Sequence, residues 1–257
     1  MKKIFLVLFL VFCIFVNTAG AEKKDLIVFA AASMTETMNE IKNLYENKNP
    51  DINIIYNFDS SGTLKTQIQE GAACDLFISA GQKQMNQLED LGLILAGTRI
   101  NLLENKIALV VPEGGTKNIK SFDDLAKALE NEKILFAMGN SDVPVGQYTQ
   151  KIFAYYGLNE KKLAQAGKIT YGSNVKEVTT QVKEASVDCG VVYCTDAYSA
   201  GLAVIDTATP QMCGQVIYPV AVVKDSANIK EAEKFLDYLT KSTAMKIFAS
   251  VGFSPAK

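Results

Sequence analysis

Apolar residues recur along this chain in two alternating rhythms: short continuous or period-two runs, and runs at helical spacing. Leu26-Ile27-Val28-Phe29 closes on Ala30-Ala31-Ala32-Ser33, and Met34, Met38, Ile41, Leu44 and Tyr45 then repeat every three or four residues. That reads as strand, tight turn and helix, with Ser33-x-x-Glu36 in the pattern of a capping box. Ile52, Ile54 and Tyr56 alternate with polar residues and predict a strand over 51–58, followed by Asp59-Ser60-Ser61-Gly62 and a helix to about Glu70. A buried strand at 75–79 and a helix stopped by Gly92 come next, whereas residues 93–105 carry no strong periodicity. Strands are then expected at 106–111, 133–138, 169–171, 188–193, 202–205 and 215–223, the last interrupted by Pro219. Between them lie a capped helix from Ser121, a long helix opened by Pro144, a helix at Val175 behind Asn174-x-x-Glu177, and a helical turn at Thr195-Asp196-Ala197. Two helices near 229–240 and 243–250 finish the chain.

Strands alternating with helices throughout predict an α/β fold with parallel-rich sheets covered on both faces. Strands 106–111 and 215–223 read as connectors, because the block between them has its own strand–helix alternation. The expected organisation is a lobe of residues 106–218 inserted into a lobe made of 22–105 plus 219–257, with a ligand in the cleft between them. Residues 1–21 stand apart. Lys2 and Lys3, the apolar run 4–16 and Ala19-Gly20-Ala21 have the pattern of a secretory signal peptide cleaved after Ala21. Cys13 follows Phe12 inside the apolar run, which argues against a lipidation cysteine. The mature chain is therefore expected to be exported, with no membrane anchor.

Composition narrows the chemistry. The whole chain carries a formal charge of −2, and loss of Lys2 and Lys3 leaves the remainder at about −4, which argues against nucleic-acid and anionic-membrane partners. Histidine is absent, so His-based catalysis and most zinc sites are excluded. Arg99 is the only arginine, and a bidentate guanidinium clamp on an anion is possible at one place at most. Cys74, Cys189, Cys194 and Cys213 remain after cleavage; a Cys189–Cys213 disulfide is the favoured pairing in an exported protein, and all four read as structural.

Four helix starts share one feature, a small or polar residue directly after a strand: Ser33, Ser61-Gly62, Val145 behind Pro144, and Val175 behind Asn174. Helix N-termini carry unpaired N–H groups and the positive end of the dipole, and in doubly wound sheets they gather at the carboxyl ends of the strands. Several aimed into one cleft would make a site for a compact anion from neutral donors. Ser173-Asn174-Val175-Lys176 also matches the Ser-x-x-Lys of penicillin-recognising enzymes, but no Ser-Asp-Asn or Lys-Thr-Gly accompanies it.

Val28-Phe29-Ala30-Ala31-Ala32-Ser33, Phe58-Asp59-Ser60-Ser61-Gly62-Thr63-Leu64, Asp75-Leu76-Phe77-Ile78-Ser79-Ala80, Val143-Pro144-Val145-Gly146, Gly190-Val191-Val192-Tyr193 with Asp196-Ala197, and Tyr218-Pro219-Val220-Ala221-Val222-Val223 occur in this order. The set resembles the family of periplasmic molybdate-binding proteins of the molybdate ABC importer, over essentially the whole mature chain. The resemblance implies the two-lobed type II periplasmic-binding-protein fold, each lobe a mixed sheet flanked by helices. It also implies a monomeric, non-enzymatic periplasmic receptor without cofactor, which captures molybdate and tungstate and delivers them to an ABC permease. Sulfate or another tetrahedral oxyanion is the alternative ligand. The molybdenum oxyanion would be held by the Ser33 and Ser61 hydroxyls and backbone N–H groups, the Val145 and Val175 main-chain N–H groups, and the Tyr193 hydroxyl. Departures from the family pattern are Val145 in place of a familiar alanine, Gly62 in place of an occasional serine, and Cys194 after Tyr193.

Overall fold

In the computed structural model, which describes residues 23–115 and 117–256, the chain alternates strand and helix as its apolar rhythm predicts. The signal peptide, its cleavage after Ala21 and the setting of Cys13 lie outside the described residues. β1 (Lys24–Ala31) passes through a 3-10 turn (Ala32–Met34) into α1 (Thr35–Lys48); β2 (Ile52–Asp59), α2 (Ser61–Gln69), β3 (Leu76–Ile78) and α3 (Gln82–Asp90) follow. β4 (Ile100–Asn105) is separated by one residue, Lys106, from β5 (Ile107–Val110). Next come α4 (Phe122–Asn131), β6 (Phe136–Gly139), α5 (Pro144–Tyr155), α6 (Glu160–Gln165), β7 (Ile169–Gly172) and α7 (Val175–Lys183). β8 (Cys189–Tyr193), α8 (Cys194–Ala200), β9 (Val204–Thr207) and α9 (Pro210–Cys213) lead to β10 (Val216–Val222), α10 (Ile229–Leu239), α11 (Ser242–Ser250) and β11 (Ser254–Pro255).

Two mixed sheets result, as expected for the α/β class. The six-stranded sheet has the order β11-β4-β10-β3-β1-β2 and the five-stranded one β7-β6-β8-β5-β9. β2, β1 and β3 are parallel, as are β7, β6 and β8, and an antiparallel strand closes each trio, β10 on β3 and β5 on β8. Both sheets thus repeat one βαβαβ design, with the first strand central and the other two beside it. The repeat lies in topology alone and leaves no repeat in the sequence. α1 shows how the helices dock: Met38, Ile41 and Tyr45, one helical face, are buried. Each fully buried aliphatic side chain contributes about 1.5–3 kcal/mol of transfer free energy.

Several features differ from expectation. β4 lies in the stretch without periodicity because Leu102 and Leu103 are both buried, so neither the two- nor the 3.6-residue rhythm survives. β10 runs straight through the expected lobe border at 218/219: Val216 pairs with Asn105 and Tyr218 with Leu103, so these residues already belong to the first sheet. Pro219 is accommodated by a register shift between Tyr218 and Pro219, and its carbonyl still accepts from the Ser79 N–H at 3.0 Å. β9 falls at Val204–Thr207 rather than 202–205, where Asp206 and Thr207 pair with β5. Finally, Cys74, Cys189, Cys194 and Cys213 are free thiols, and the expected Cys189–Cys213 bridge is absent. Cys189 opens β8 opposite Phe136, whereas the Cys213 thiol, at the end of α9, points at the Thr209 carbonyl. Among the described residues no helix is long and apolar enough to cross a membrane.

Candidate functional site

Strand register brings the candidate residues together. Ala31 stands opposite Asp59 and Ala30 opposite Ile78, so the turns after β1, β2 and β3 emerge side by side. In the second sheet Gly139 stands opposite Gly172, and β8 runs parallel beside them to end at Tyr193. The carboxyl ends of six parallel strands therefore face one cleft, the position where open α/β sheets bind ligands. Between them lies a small cavity of about 10 Å³, lined by Ala31, Ala32, Ser33, Asp59, Ser60, Ser61 and Ala80 on one side and Val143, Pro144, Val175 and Tyr193 on the other. A space of that size holds about one water, so only a compact ligand could sit there without the lobes parting further. A larger groove of about 460 Å³ between Gly62, Gln84, Asp142 and Gln147 lies outside this ring of strand ends.

Ser33 is buried in the 3-10 turn, and its Oγ lies 2.9 Å from the Tyr218 hydroxyl. It does not cap α1. The extra turn moves the helix start to Thr35, Met34 holds the cap position without a side-chain bond, and Glu36 pairs with Lys176 instead of closing a capping box. For α2 the cap is Ser60, whose Oγ accepts from the Thr63 N–H at 3.1 Å. That leaves Ser61 as the first helical residue, with its Oγ accepting from the Ala80 N–H at 2.9 Å. A hydroxyl oxygen already accepting still has its own proton to give.

Val175 begins α7 behind the expected cap: the Asn174 side chain accepts from the Glu177 N–H at 3.2 Å, and Glu177 accepts from the Ser173 N–H and hydroxyl at 2.7 and 2.8 Å. As the first residue of the helix, Val175 has an N–H with no intrahelical acceptor. In α5, Pro144 holds the first position and has no N–H, so the Val145 N–H is the first donor that this helix offers. The Val145 side chain is core, and the cavity wall there is Val143 and Pro144. Tyr193 is buried edge-on against Tyr148 and Tyr218, with ring centroids 6.4 and 5.6 Å away. Its hydroxyl makes a long contact, 3.4 Å, to the Ala80 carbonyl across the cleft. Burial pushes that hydroxyl well above its ordinary range, so it remains a proton donor. Ser33, Ser61, Val175 and Tyr193 thus share one cavity, and Val145 stands one residue behind its wall.

No lysine or arginine lines the cavity; its one charged residue is Asp59, whose Oδ1 accepts from the Ser60 N–H at 2.6 Å. Arg99 lies elsewhere, paired with Glu89 and bonded to Gln82 and Asn86. Asp142 lines the outer groove, and its main-chain carbonyl packs against Gly62, where an added Cβ would come within 2.2 Å of the oxygen. Beside Val175, Lys176 Nζ lies 2.8 Å from Glu36 and 3.2 Å from Asp196. Burial pushes the Asp196 carboxyl up to about 6 in spite of the Lys176 charge. Burial alone would lower the Lys176 ammonium, but Asp196 and Glu36 outweigh it and hold it above its ordinary value.

Three residues behind the cavity escape the sequence reading. Tyr218, Asn105 and Thr195 are buried polar side chains bonded to one another or to Ser33. The available signals were weak: a tyrosine before Pro219 in an apolar strand, and an asparagine in a stretch without periodicity.

The family described as bacterial extracellular solute-binding protein matches residues 26–254. A Bacillus subtilis (strain 168) protein, provisionally described as the ABC transporter substrate-binding lipoprotein YvgL, is 38% identical over 93% of this chain and 89% of its own length. The molybdate-binding protein ModA of Escherichia coli (strain K12) is 32% identical over 93% of this chain and 92% of its own. Among solved structures, the substrate-binding domain of a provisionally assigned molybdenum ABC transporter from Clostridium difficile superposes with a TM-score of 0.66. It is 31% identical and covers 91% of this chain and 99% of that one.

Proposed function

Because this chain belongs to the family of bacterial extracellular solute-binding proteins, and is a receptor rather than an enzyme, we propose that it captures molybdate, and tungstate with it, for the permease of an ABC importer. The observation that carries the reading is the small cavity at six strand ends, lined by Ser33, Ser61, Val175 and Tyr193 at hydroxyls and helix N-termini, with no lysine or arginine on its wall. Such donors spread the charge of a tetrahedral dianion over many hydrogen bonds and need no ion pair, which suits a cargo that must be released again. The 32% identity to a molybdate-binding protein supports the choice of anion.

Capture proceeds by hinge closure. The anion bonds first to the Ser33 and Ser61 side, and the Val145 and Val175 N–H groups and the Tyr193 hydroxyl complete the shell as the lobes meet. The reading needs no cofactor. It takes the receptor to be an exported monomer released by cleavage after Ala21, unlike the lipoprotein description of the Bacillus subtilis relative.

Calorimetric titration with molybdate, tungstate, sulfate and phosphate tests the assignment. Molybdate is expected to bind one per chain and to raise the melting temperature, by about 2.7 kcal/mol of stability at a hundredfold excess over Kd. Equal thermal shifts from sulfate and molybdate would overturn the molybdate assignment and leave an unselective oxyanion site.

A further inference from the structure

Behind Ser33 runs a line of buried polar groups that ends at the junction of the two sheets. The Tyr218 hydroxyl lies 2.9 Å from Ser33 Oγ. Asn105 Nδ2 donates to the Tyr218 oxygen at 3.2 Å and to Thr195 Oγ1 at 2.9 Å. All four residues are buried, so each polar atom needs a partner there. Asn105 is the last residue of β4, immediately before the single residue that leads into the second sheet.

The line has a direction. The Lys106 backbone N–H donates to Asn105 Oδ1 at 2.8 Å, which turns the amide oxygen toward Lys106 and the NH₂ toward Tyr218 and Thr195. An amide nitrogen only donates, so the Tyr218 oxygen accepts from it. Burial holds the Tyr218 hydroxyl well above its ordinary range, so it keeps its proton. Ser33 Oγ, at 2.9 Å, is in place to accept that proton. Ser33 then accepts from behind and has its own proton left for the cavity that it lines. Ser61 is set in the same sense by the Ala80 N–H.

We propose that Tyr218 and Asn105 are positioning residues that fix the hydrogen-bond polarity of the site: Asn105 donates to Tyr218, Tyr218 donates to Ser33, and Ser33 donates to the bound oxyanion. The proposal rests on the oxyanion reading of the cavity and adds residues that touch no ligand. Its consequence is selectivity. Both serines then keep their protons for the cavity, which favours an anion that offers acceptors over one that must spend a proton of its own.

A double-mutant cycle on molybdate affinity tests it, with Tyr218→Phe and Asn105→Leu as alternative backgrounds and thermal melts to confirm folding. In the natural chain Ser33→Ala is expected to raise the molybdate Kd about 10- to 100-fold, the loss of a donor to a charged acceptor. Tyr218→Phe alone is expected to raise it about 10-fold, and Ser33→Ala added to Tyr218→Phe only about threefold more, because an unoriented hydroxyl has little left to lose. The same shrinkage is expected in Asn105→Leu, which keeps the Tyr218 hydroxyl. A purely structural role for Tyr218 and Asn105 predicts instead that Ser33→Ala costs the same factor in every background, and that result would overturn the proposal while sparing the site. Failure of the natural chain to bind molybdate, tungstate or sulfate would remove the oxyanion reading itself, and this proposal with it.

Discussion

Lys176 Nζ on α7 lies 2.8 Å from both carboxylate oxygens of Glu36 on α1, an ion pair that joins one lobe to the other beside the cavity. Its side chains are 32% and 49% exposed, so solvent screens it and it is worth about 0–1 kcal/mol. Glu36→Gln is therefore expected to weaken molybdate binding by about two- to fivefold at low ionic strength and by less at high salt. Titrations at two salt concentrations check this; a loss independent of salt would mean that the pair does not stabilise closure by charge.

Gly62 and Asp142 meet across the same cleft. A Cβ on Gly62 would lie 2.2 Å from the Asp142 carbonyl oxygen, a clash with backbone that no rotamer change relieves. With the lobes apart that clash vanishes, and alanine favours the helix by up to about 1 kcal/mol over glycine. Gly62→Ala should leave the ligand-free melting temperature unchanged or raised while weakening molybdate binding by about 10-fold or more, since about 1.4 kcal/mol against closure suffices. Unaltered affinity would show that the lobes close without this contact.

Side-chain and backbone donors separate by substitution. Ser61→Ala and Tyr193→Phe each delete a hydroxyl donor to a charged acceptor, worth about 1.5–3 kcal/mol, so Kd should rise about 10- to 100-fold. Ser61→Ala also strips the Ala80 N–H of its acceptor and should lower the melting temperature, which Tyr193→Phe should barely change. Val175→Ala keeps its N–H and should bind nearly as well as the natural chain. Calorimetry on the three variants tests the scheme, and a Val175→Ala defect as large as that of Ser61→Ala would remove the backbone-donor role.

Asp196 gives the fold a pH dependence of known sign. Its carboxyl is raised from 3.8 to about 6 by burial, so the folded chain holds a proton that the unfolded chain releases. The stability it contributes is complete below about pH 4 and is lost as pH rises through about 6. Lys176 opposes the shift and Glu36 reinforces it, while the Tyr193 and Tyr218 hydroxyls nearby stay neutral. Asp196→Asn does not titrate, so between pH 4 and 6 the natural chain should lose stability relative to the variant. Parallel denaturation curves at both pH values would contradict the buried-carboxylate assignment.

Fold class was legible because strand–helix units write their two rhythms plainly, as at Leu26–Tyr45. Short elements were not. β4 buries consecutive leucines and β11 has two residues, so neither can display a period. Ser33 was legible as a candidate but not in its role: whether a serine caps a helix or faces inward depends on one intervening 3-10 turn, which a capping-box pattern does not encode. The free cysteines reflect the same limit, since spacing along a chain does not tell which thiols the sheets bring within bonding distance. Tyr218 and Asn105 meet over more than a hundred residues of sequence through the β4–β10 pairing, and no local pattern announces that contact.

The pairing of Asn105 with Val216 sets the two chain crossings side by side, one of them a single residue long. Such a joint would act like a flat leaf spring rather than a ball-and-socket, bending about one axis and resisting twist about the others. Opening about that axis would carry the mouth of the cleft along one arc and keep its rims aligned. A partner that grips both rims would gauge a single coordinate, the gap, and read from it whether the chamber is loaded.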